Sequence, residues 1–275
     1  MPELPEVETV CRALQKSLSG KTIVDITVRN PKLRNLINPQ YLEDNCKNHK
    51  ILSLRRRAKY IIAELSNDKA LLLHLGMTGK FRVCSQEEEV KKHEHVLFQL
   101  NTGESWRYED PRRFGIVKAV TLPVQGGIPE DLEHFGPEPL EGDFTGKYLK
   151  DFAKNKTKPI KNLIMDNTCV VGVGNIYASE SLFRAKLSPL KAAGKINLAK
   201  MTLLVEKIQE VLKEAIQAGG TTISDFSAPD GNEGYFFREL AVYGRADEGC
   251  LECGSIISKV VMAGRSSFFC KKCQR

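Results

Sequence analysis

The chain has 275 residues, 41% hydrophobic and 27% charged, with a formal net charge of +7 at pH 7. This is the composition of a soluble globular protein, long enough for two ordinary domains. No apolar run approaches the roughly 20 residues of a membrane helix, and no basic-then-apolar leader opens the chain, so membrane-spanning and secreted classes are set aside and a cytoplasmic protein is expected.

The first predicted element is a helix. "MPELPEVETV" leads into Val7, Val10, Cys11, Leu14 and Leu18 at helical spacing, with Gly20 suited to the position after the cap. Met before Pro is a context in which the initiator is often removed, and Pro2 then becomes a secondary amine. An α-amino group titrates near 7.7–8.0 and Lys near 10.4, so at neutral pH roughly a tenth of the former is unprotonated, against about one in two thousand of the latter. Such an amine can form an imine with a carbonyl carbon. Glu3 is then a candidate acid for a departing or ring oxygen, and Glu6 a candidate to order the segment. The same residues also suit an ordinary helix start, with proline in the first turn and acids favoured by the dipole.

Strand-like runs follow: "KTIVDITVRN", "HKILSLRRRAKYIIAEL", "ALLLHLGMTGKFRVC", "HEHVLFQL", "SWRYED" and "FGIVKAVTL". Short strands without interleaved helices predict a sandwich or barrel. The Gly/Pro-rich "QGGIPEDLEHFGPEPLEGDF" is the linker candidate. Beyond it "TGKYLKDFAKN", "KPIKNLIMDN", "NIYASESLFRAK" and "NLAKMTLLVEKIQEVLKEAIQAGG" read as helices. The last carries Leu198, Met201, Val205, Ile208, Val211, Leu212 and Ile216 on one face, and Gly219–Gly220 stop it. "TTISDFSAPDGNEGYFF" reads as a loop, and no internal repeat is found.

Charge follows the same division. Residues 1–140 carry 21 basic and 19 acidic side chains and residues 141–275 carry 20 and 15, a surplus that favours a polyanionic partner without requiring one. In "VVGVGNIYASESLF", Gly172 and Gly174 precede an Asn175 placed to cap a helix, an arrangement that admits a phosphate or serves as an ordinary turn. The strongest signal is at the end. Cys250/Cys253 and Cys270/Cys273 are two CxxC pairs sixteen residues apart, a zinc spacing. Four thiolates close a tetrahedral site, so one structural Zn2+ is expected, with a redox dithiol pair or an iron–sulfur site as alternatives. The residues between them predict a β-hairpin with "AGR" at its turn and Arg265 at its tip. Lys259, Lys271 and Lys272 are nearby, which suits phosphate contact or a stabilising clip. Cys11, Cys46, Cys84 and Cys169 are scattered and read as buried thiols.

Together "MPELPEVET", "RRRAKY", "HLGMTG", "YEDPRRFG", "FGPEPL", "DNTCVVGVGNIYASESLF", "AGGTT", "VYGR" and the cysteine segment resemble bacterial formamidopyrimidine-DNA glycosylases, in that family's order and along the whole chain. The resemblance implies an α+β multidomain fold. Residues 1–135 would form a catalytic β-sandwich with the N-terminal helix, 136–240 a helix–two-turns–helix domain with a base-recognition loop, and 241–275 a zinc finger. It implies base-excision repair by a bifunctional glycosylase/lyase, a cytoplasmic monomer, nucleoid-associated through double-stranded DNA bearing oxidised purines or abasic sites. Pro2 matches the nucleophile, Glu3 the acid/base carboxylate, Glu6 a supporting residue and Lys59 a lysine near the reacting sugar. Met77, Arg112 and Phe114 match side chains that fill the gap left by an everted base, with Arg112 facing the opposite base. His74, Asn175, Tyr243 and Arg265 match phosphate contacts, and Thr221 the base-recognition loop. Leu4 agrees with purine-directed members. Oxidised pyrimidines as substrates, or a non-catalytic zinc-containing DNA-binding protein, are the alternatives.

Overall fold

The computed structural model describes residues 2–220 and 240–275. Residues up to Glu133, with Gly219 and Gly220, form one compact unit; His134–Ala218 and residues 240–275 form the other.

In the first unit α1 (Leu4–Leu18) buries Val7, Val10, Cys11, Leu14 and Leu18, the stripe expected from spacing, and Gly20 adopts φ +86 just past its end. Each such buried aliphatic side chain is worth about 1.5–3 kcal/mol. Eight antiparallel strands make two four-stranded sheets. One runs β1 (Ile23–Val28), β6 (Glu94–Leu100), β7 (Glu104–Glu109), β5 (Lys80–Ser85); the other β2 (Ile51–Arg57), β3 (Tyr60–Leu65), β4 (Lys69–His74), β8 (Ile116–Thr121). One core cluster joins the apolar stripe of α1 to both sheets, including Phe98 and Trp106 from the first and Leu54, Leu71 and Val117 from the second.

Two expectations need correction. The strand series is interrupted by α2 (Pro39–Cys46), capped by Asn38, whose side chain accepts from the Tyr41 N–H at 3.1 Å. "NPQYLEDNC" thus carried a cap and a first-turn proline that mark a helix start. The run "HKILSLRRRAKYIIAEL" is also not one strand. It folds back at Ala58–Lys59, where Ala58 takes φ +54 and Arg57 pairs with Tyr60.

A short α3 (Glu130–Glu133) ends this unit. The second unit contains α4 (Gly146–Phe152), α5 (Ile160–Ile164), α6 (Asn175–Arg184) and α7 (Leu198–Gln217), then the hairpin β9 (Ser258–Met262) and β10 (Arg265–Phe269). In α7 the buried face is Met201, Leu204, Val205, Ile208, Val211, Leu212 and Ala215. Leu198 is exposed because the stripe begins only after the turn capped by Asn197, and Ile216, in the last turn, is half-buried. The hairpin turns at Ala263 and Gly264, both at positive φ, which puts Arg265 at the tip as expected. Among the described residues no helix is long and apolar enough to cross a membrane.

Candidate active site and nucleic-acid interface

At the N-terminus Pro2, Glu3 and Glu6 are all buried, although two of them are acids. Glu3 is the N-cap of α1, and its N–H donates to Glu6 Oε2 at 2.8 Å while its carbonyl accepts from the Val7 N–H at 3.1 Å. Glu6 therefore fixes the backbone that carries Pro2 and Glu3. Gly220, at φ +86, packs so closely that a Cβ there would lie 3.0 Å from Glu6 Oε1. Glycine at this position reflects both the left-handed backbone and the close approach.

Lys59 stands on the β2–β3 turn, half-buried. Arg56 ties that turn to α1: its Nε donates to Glu8 Oε2 at 2.8 Å and its Nη1 to the Ala58 carbonyl at 3.1 Å. Burial alone would raise the Glu8 pKa, but Arg12 and Arg56 hold it below the usual carboxylate value. Arg55 pairs with the buried Glu64 at 2.7 Å. At least two arginines of "RRR" are thus framework rather than free charge, and the sequence carries no sign of Glu8 as an anchor for them.

His74 ends β4 with 7% of its surface exposed. Burial first, then the charges of Arg34 and Lys59, lower its pKa to about 4. The Gly76 N–H donates to Nδ1 at 2.9 Å, so the neutral ring carries its proton on Nε2. It is thereby a fixed neutral donor. His74 lines a cavity of about 250 Å3 with Arg34, Gly76, Met77 and Phe114. Met77 and Phe114 are exposed apolar side chains, and the Arg112 guanidinium lies 5.0 Å from the Phe114 ring centre. The three expected wedge residues thus share one surface region of this unit.

In the second unit Asn175 corrects an expectation. Gly174 is the N-cap of α6 and Asn175 its first residue. The Asn175 side chain caps nothing: Oδ1 accepts from Lys161 Nζ at 2.7 Å, and Nδ2 donates to the Ser266 carbonyl at 2.9 Å. Lys161 is 1% exposed and also donates to Ser267 Oγ at 2.7 Å, joining α5, α6 and the hairpin. Lys158, Lys161, Asn175, Arg265 and Ser267 line a cavity of about 260 Å3. Tyr243 is set by Glu180, a fully buried carboxylate that accepts from three consecutive N–H groups, Ala241 at 2.9 Å, Val242 at 3.0 Å and Tyr243 at 2.8 Å. The Tyr243 ring meets Phe268 edge-on at 5.1 Å. Thr221 lies outside the described residues.

The Sγ atoms of Cys250, Cys253, Cys270 and Cys273 lie within 4.8 Å of one another. Cys250–Cys273 and Cys253–Cys270 are separated by 3.9 and 3.5 Å. Zn–S bonds of about 2.3 Å in a tetrahedron require S···S edges of about 3.8 Å, so this donor set fits one zinc ion and leaves no position for substrate. Such an ion ties the hairpin to the Gly249–Gly254 loop and does no chemistry. Of the other thiols, burial pushes Cys11, Cys46 and Cys169 up to about 12, which suits inert packing groups. Cys84 is only half-buried, which departs from the expectation for it.

A two-sheet unit whose opening backbone is held by Glu6, and a helical unit that ends in a four-cysteine hairpin, fit the class that the sequence resembles, the zinc-finger DNA glycosylases with a helix–two-turns–helix domain. Family models match three stretches: the formamidopyrimidine-DNA glycosylase N-terminal domain at residues 1–117, its H2TH domain at 135–227, and a zinc finger found in FPG and IleRS at 248–275. A formamidopyrimidine-DNA glycosylase of Alcanivorax borkumensis is 45% identical over 278 residues, covering all of both chains, and one of Yersinia pseudotuberculosis is 47% identical over 275, again covering all of both. Among solved structures, a Lactococcus lactis FPG mutant in complex with Fapy-dG-containing DNA superposes with a TM-score of 0.89 at 35% identity over all of both chains. The MutM (FPG) protein of Thermus thermophilus gives 0.86 at 36% identity, covering 99% of this chain and 98% of that one. The chain belongs to the formamidopyrimidine-DNA glycosylase family.

Proposed function

We propose that this protein is a base-excision repair glycosylase and abasic-site lyase acting on duplex DNA that carries oxidised purines such as 8-oxoguanine and formamidopyrimidines. The observation that carries the reading is the buried N-terminal segment, in which Glu6 holds the Glu3 backbone so that Pro2 and the Glu3 carboxylate start the chain together. Related structures are complexes with DNA containing Fapy-dG or an abasic site.

Once Met1 is removed, the Pro2 nitrogen attacks C1′ and the base leaves with the glycosidic electron pair. The nitrogen gives up its proton and the departing base takes one up; Glu3 protonates the ring oxygen, the sugar opens, and a positively charged imine (iminium) links Pro2 to C1′. The imine acidifies the C2′ proton, so its loss expels the 3′ phosphate; a second elimination expels the 5′ phosphate. Lys59 works at the sugar and its phosphate. Met77, Arg112 and Phe114 occupy the space of the everted base, because a base must leave the stack before its sugar is reachable. His74, Asn175, Tyr243 and Arg265 grip phosphates, with Thr221 in the loop over the everted base. Zinc maintains the hairpin that presents Arg265. The protein works as a cytoplasmic monomer drawn to the nucleoid by DNA.

Borohydride reduction of the imine tests this directly. A covalent adduct with abasic DNA is expected for the native protein and lost in Pro2→Gly. A protein that binds DNA well and traps nothing would be a binding module only. A panel of lesion duplexes separates oxidised purines from oxidised pyrimidines, and excision confined to pyrimidines would overturn the substrate assignment.

A further inference from the structure

Asp110 is completely buried and lies between two loops that sequence brings no closer than thirty residues. Its Oδ1 accepts from the Thr78 hydroxyl at 2.6 Å, and its Oδ2 from the Gly115 N–H at 2.8 Å and the Tyr108 hydroxyl at 3.1 Å. Its carbonyl accepts from the Arg113 N–H at 3.1 Å, closing the turn in which Arg113 takes φ +58. The Thr78 hydroxyl in turn lies 3.3 Å from the Arg112 N–H and accepts from it.

These partners are not scattered. Thr78 follows Met77, Gly115 follows Phe114, and Arg112 is reached through Thr78. The two loops also meet backbone to backbone. A Cβ on Gly76 would approach the Phe114 carbonyl carbon to 2.5 Å and the Gly115 nitrogen to 2.6 Å, and one on Gly115 would overlap the Tyr108 hydroxyl.

We propose that Asp110 is the positioning residue of the wedge: one carboxylate sets the Met77 loop and the Arg112–Phe114 loop in register, so that three side chains enter the DNA stack as a unit. The inference rests on the reading of Met77, Arg112 and Phe114 as wedge residues. Asp110 touches neither the sugar nor the base and takes no part in imine chemistry. A carboxylate suits the task because it offers acceptors only, and here every neighbour is a donor. Asparagine, of the same shape, turns one acceptor into an NH2: facing Gly115 it opposes an N–H that can only donate, and facing Thr78 it turns that hydroxyl from donor to acceptor, and in either orientation the charge-assisted bonds of the carboxylate are lost.

The test separates insertion from chemistry. Duplex DNA with 2-aminopurine opposite the lesion reports wedge entry by fluorescence, whereas borohydride trapping on single-stranded abasic DNA needs no wedge, since there is no stack to fill. For Asp110→Asn, lesion excision and the fluorescence change in duplex DNA are expected to fall at least tenfold, while single-strand trapping stays within twofold of native. Thr78→Val, which removes only the hydroxyl relay, is expected to weaken insertion in the same direction and decides the matter should Asp110→Asn fail to fold. Equal losses on both substrates, or unchanged insertion in a folded Asp110→Asn or in Thr78→Val, overturn the proposal. Met77→Ala and Phe114→Ala serve as controls. If they too insert normally, the wedge reading itself fails; if they lose insertion and Asp110→Asn keeps it, only the role of Asp110 falls.

Discussion

Acidification from pH 7 to pH 5 should destabilise the N-terminal unit through one side chain. His74 is buried, accepts the Gly76 N–H on Nδ1 and has its pKa lowered to about 4. Unfolded, it titrates near 6.5. Between those values the unfolded chain binds the extra proton and the native one does not, so native stability rises with pH across that window. The contribution is complete above about pH 6.5, falls as the pH drops, and is gone near pH 4. Integrating over pH 7 to pH 5 gives a loss of about 2 kcal/mol from this group. In His74→Gln, whose side chain can still accept from Gly76, that part of the slope disappears. Urea unfolding of both proteins at pH 7 and pH 5, followed through the Trp106 fluorescence of the sandwich, measures the difference. Equal pH dependence in the two proteins, or a His74 imidazole resonance, assigned by its loss in His74→Gln, that titrates near 6.5 in the folded chain, would refute the reasoning. It would also remove the ground for treating His74 as a neutral phosphate donor with a fixed tautomer.

Three further expectations follow from the same contacts. Cys253→Ser should abolish zinc binding and weaken DNA binding while the N-terminal unit unfolds normally; a normal metal content by mass spectrometry would refute the ligand assignment. Lys161→Met removes at least two hydrogen bonds from a buried charged donor, each worth about 1.5–3 kcal/mol and offset in part by the ammonium no longer being desolvated. A net loss of about 2 kcal/mol by denaturant unfolding, with weaker and less salt-dependent DNA binding, is therefore expected; unchanged values would show that Asn175 and the hairpin do not depend on Lys161. Gly220→Ala forces a left-handed alanine against the Glu6 carboxylate, a strain of about 1–2 kcal/mol. Excision should fall about tenfold, and full activity would show that the Glu6 environment is not tightly defined.

What the sequence displays well is local. The spacing of Val7 to Leu18 pointed to α1 directly, and two CxxC pairs pointed to the metal site, because helix faces and chelate loops are set by nearby residues. The splitting of one apolar run at Ala58–Lys59 was hidden, since a residue other than glycine occupies the left-handed turn position. The framework acids were hidden too. Glu8, Asp110 and Glu180 look like surface carboxylates in the sequence, and their roles arise from partners dozens of residues away. Asn175 shows the opposite error. A residue type that commonly caps helices sits one position inside this one, drawn away by the buried Lys161, whose "KPIKN" context gave no hint of burial.

The proposed mechanism places the chemistry on the first atom of the mature chain. Trapping the native protein on abasic DNA with borohydride, digesting the adduct and sequencing the cross-linked peptide tests this most directly. The deoxyribose remnant is predicted on the nitrogen of a peptide that begins at Pro2. A remnant on Lys59, or on a peptide that still carries Met1, would contradict the account.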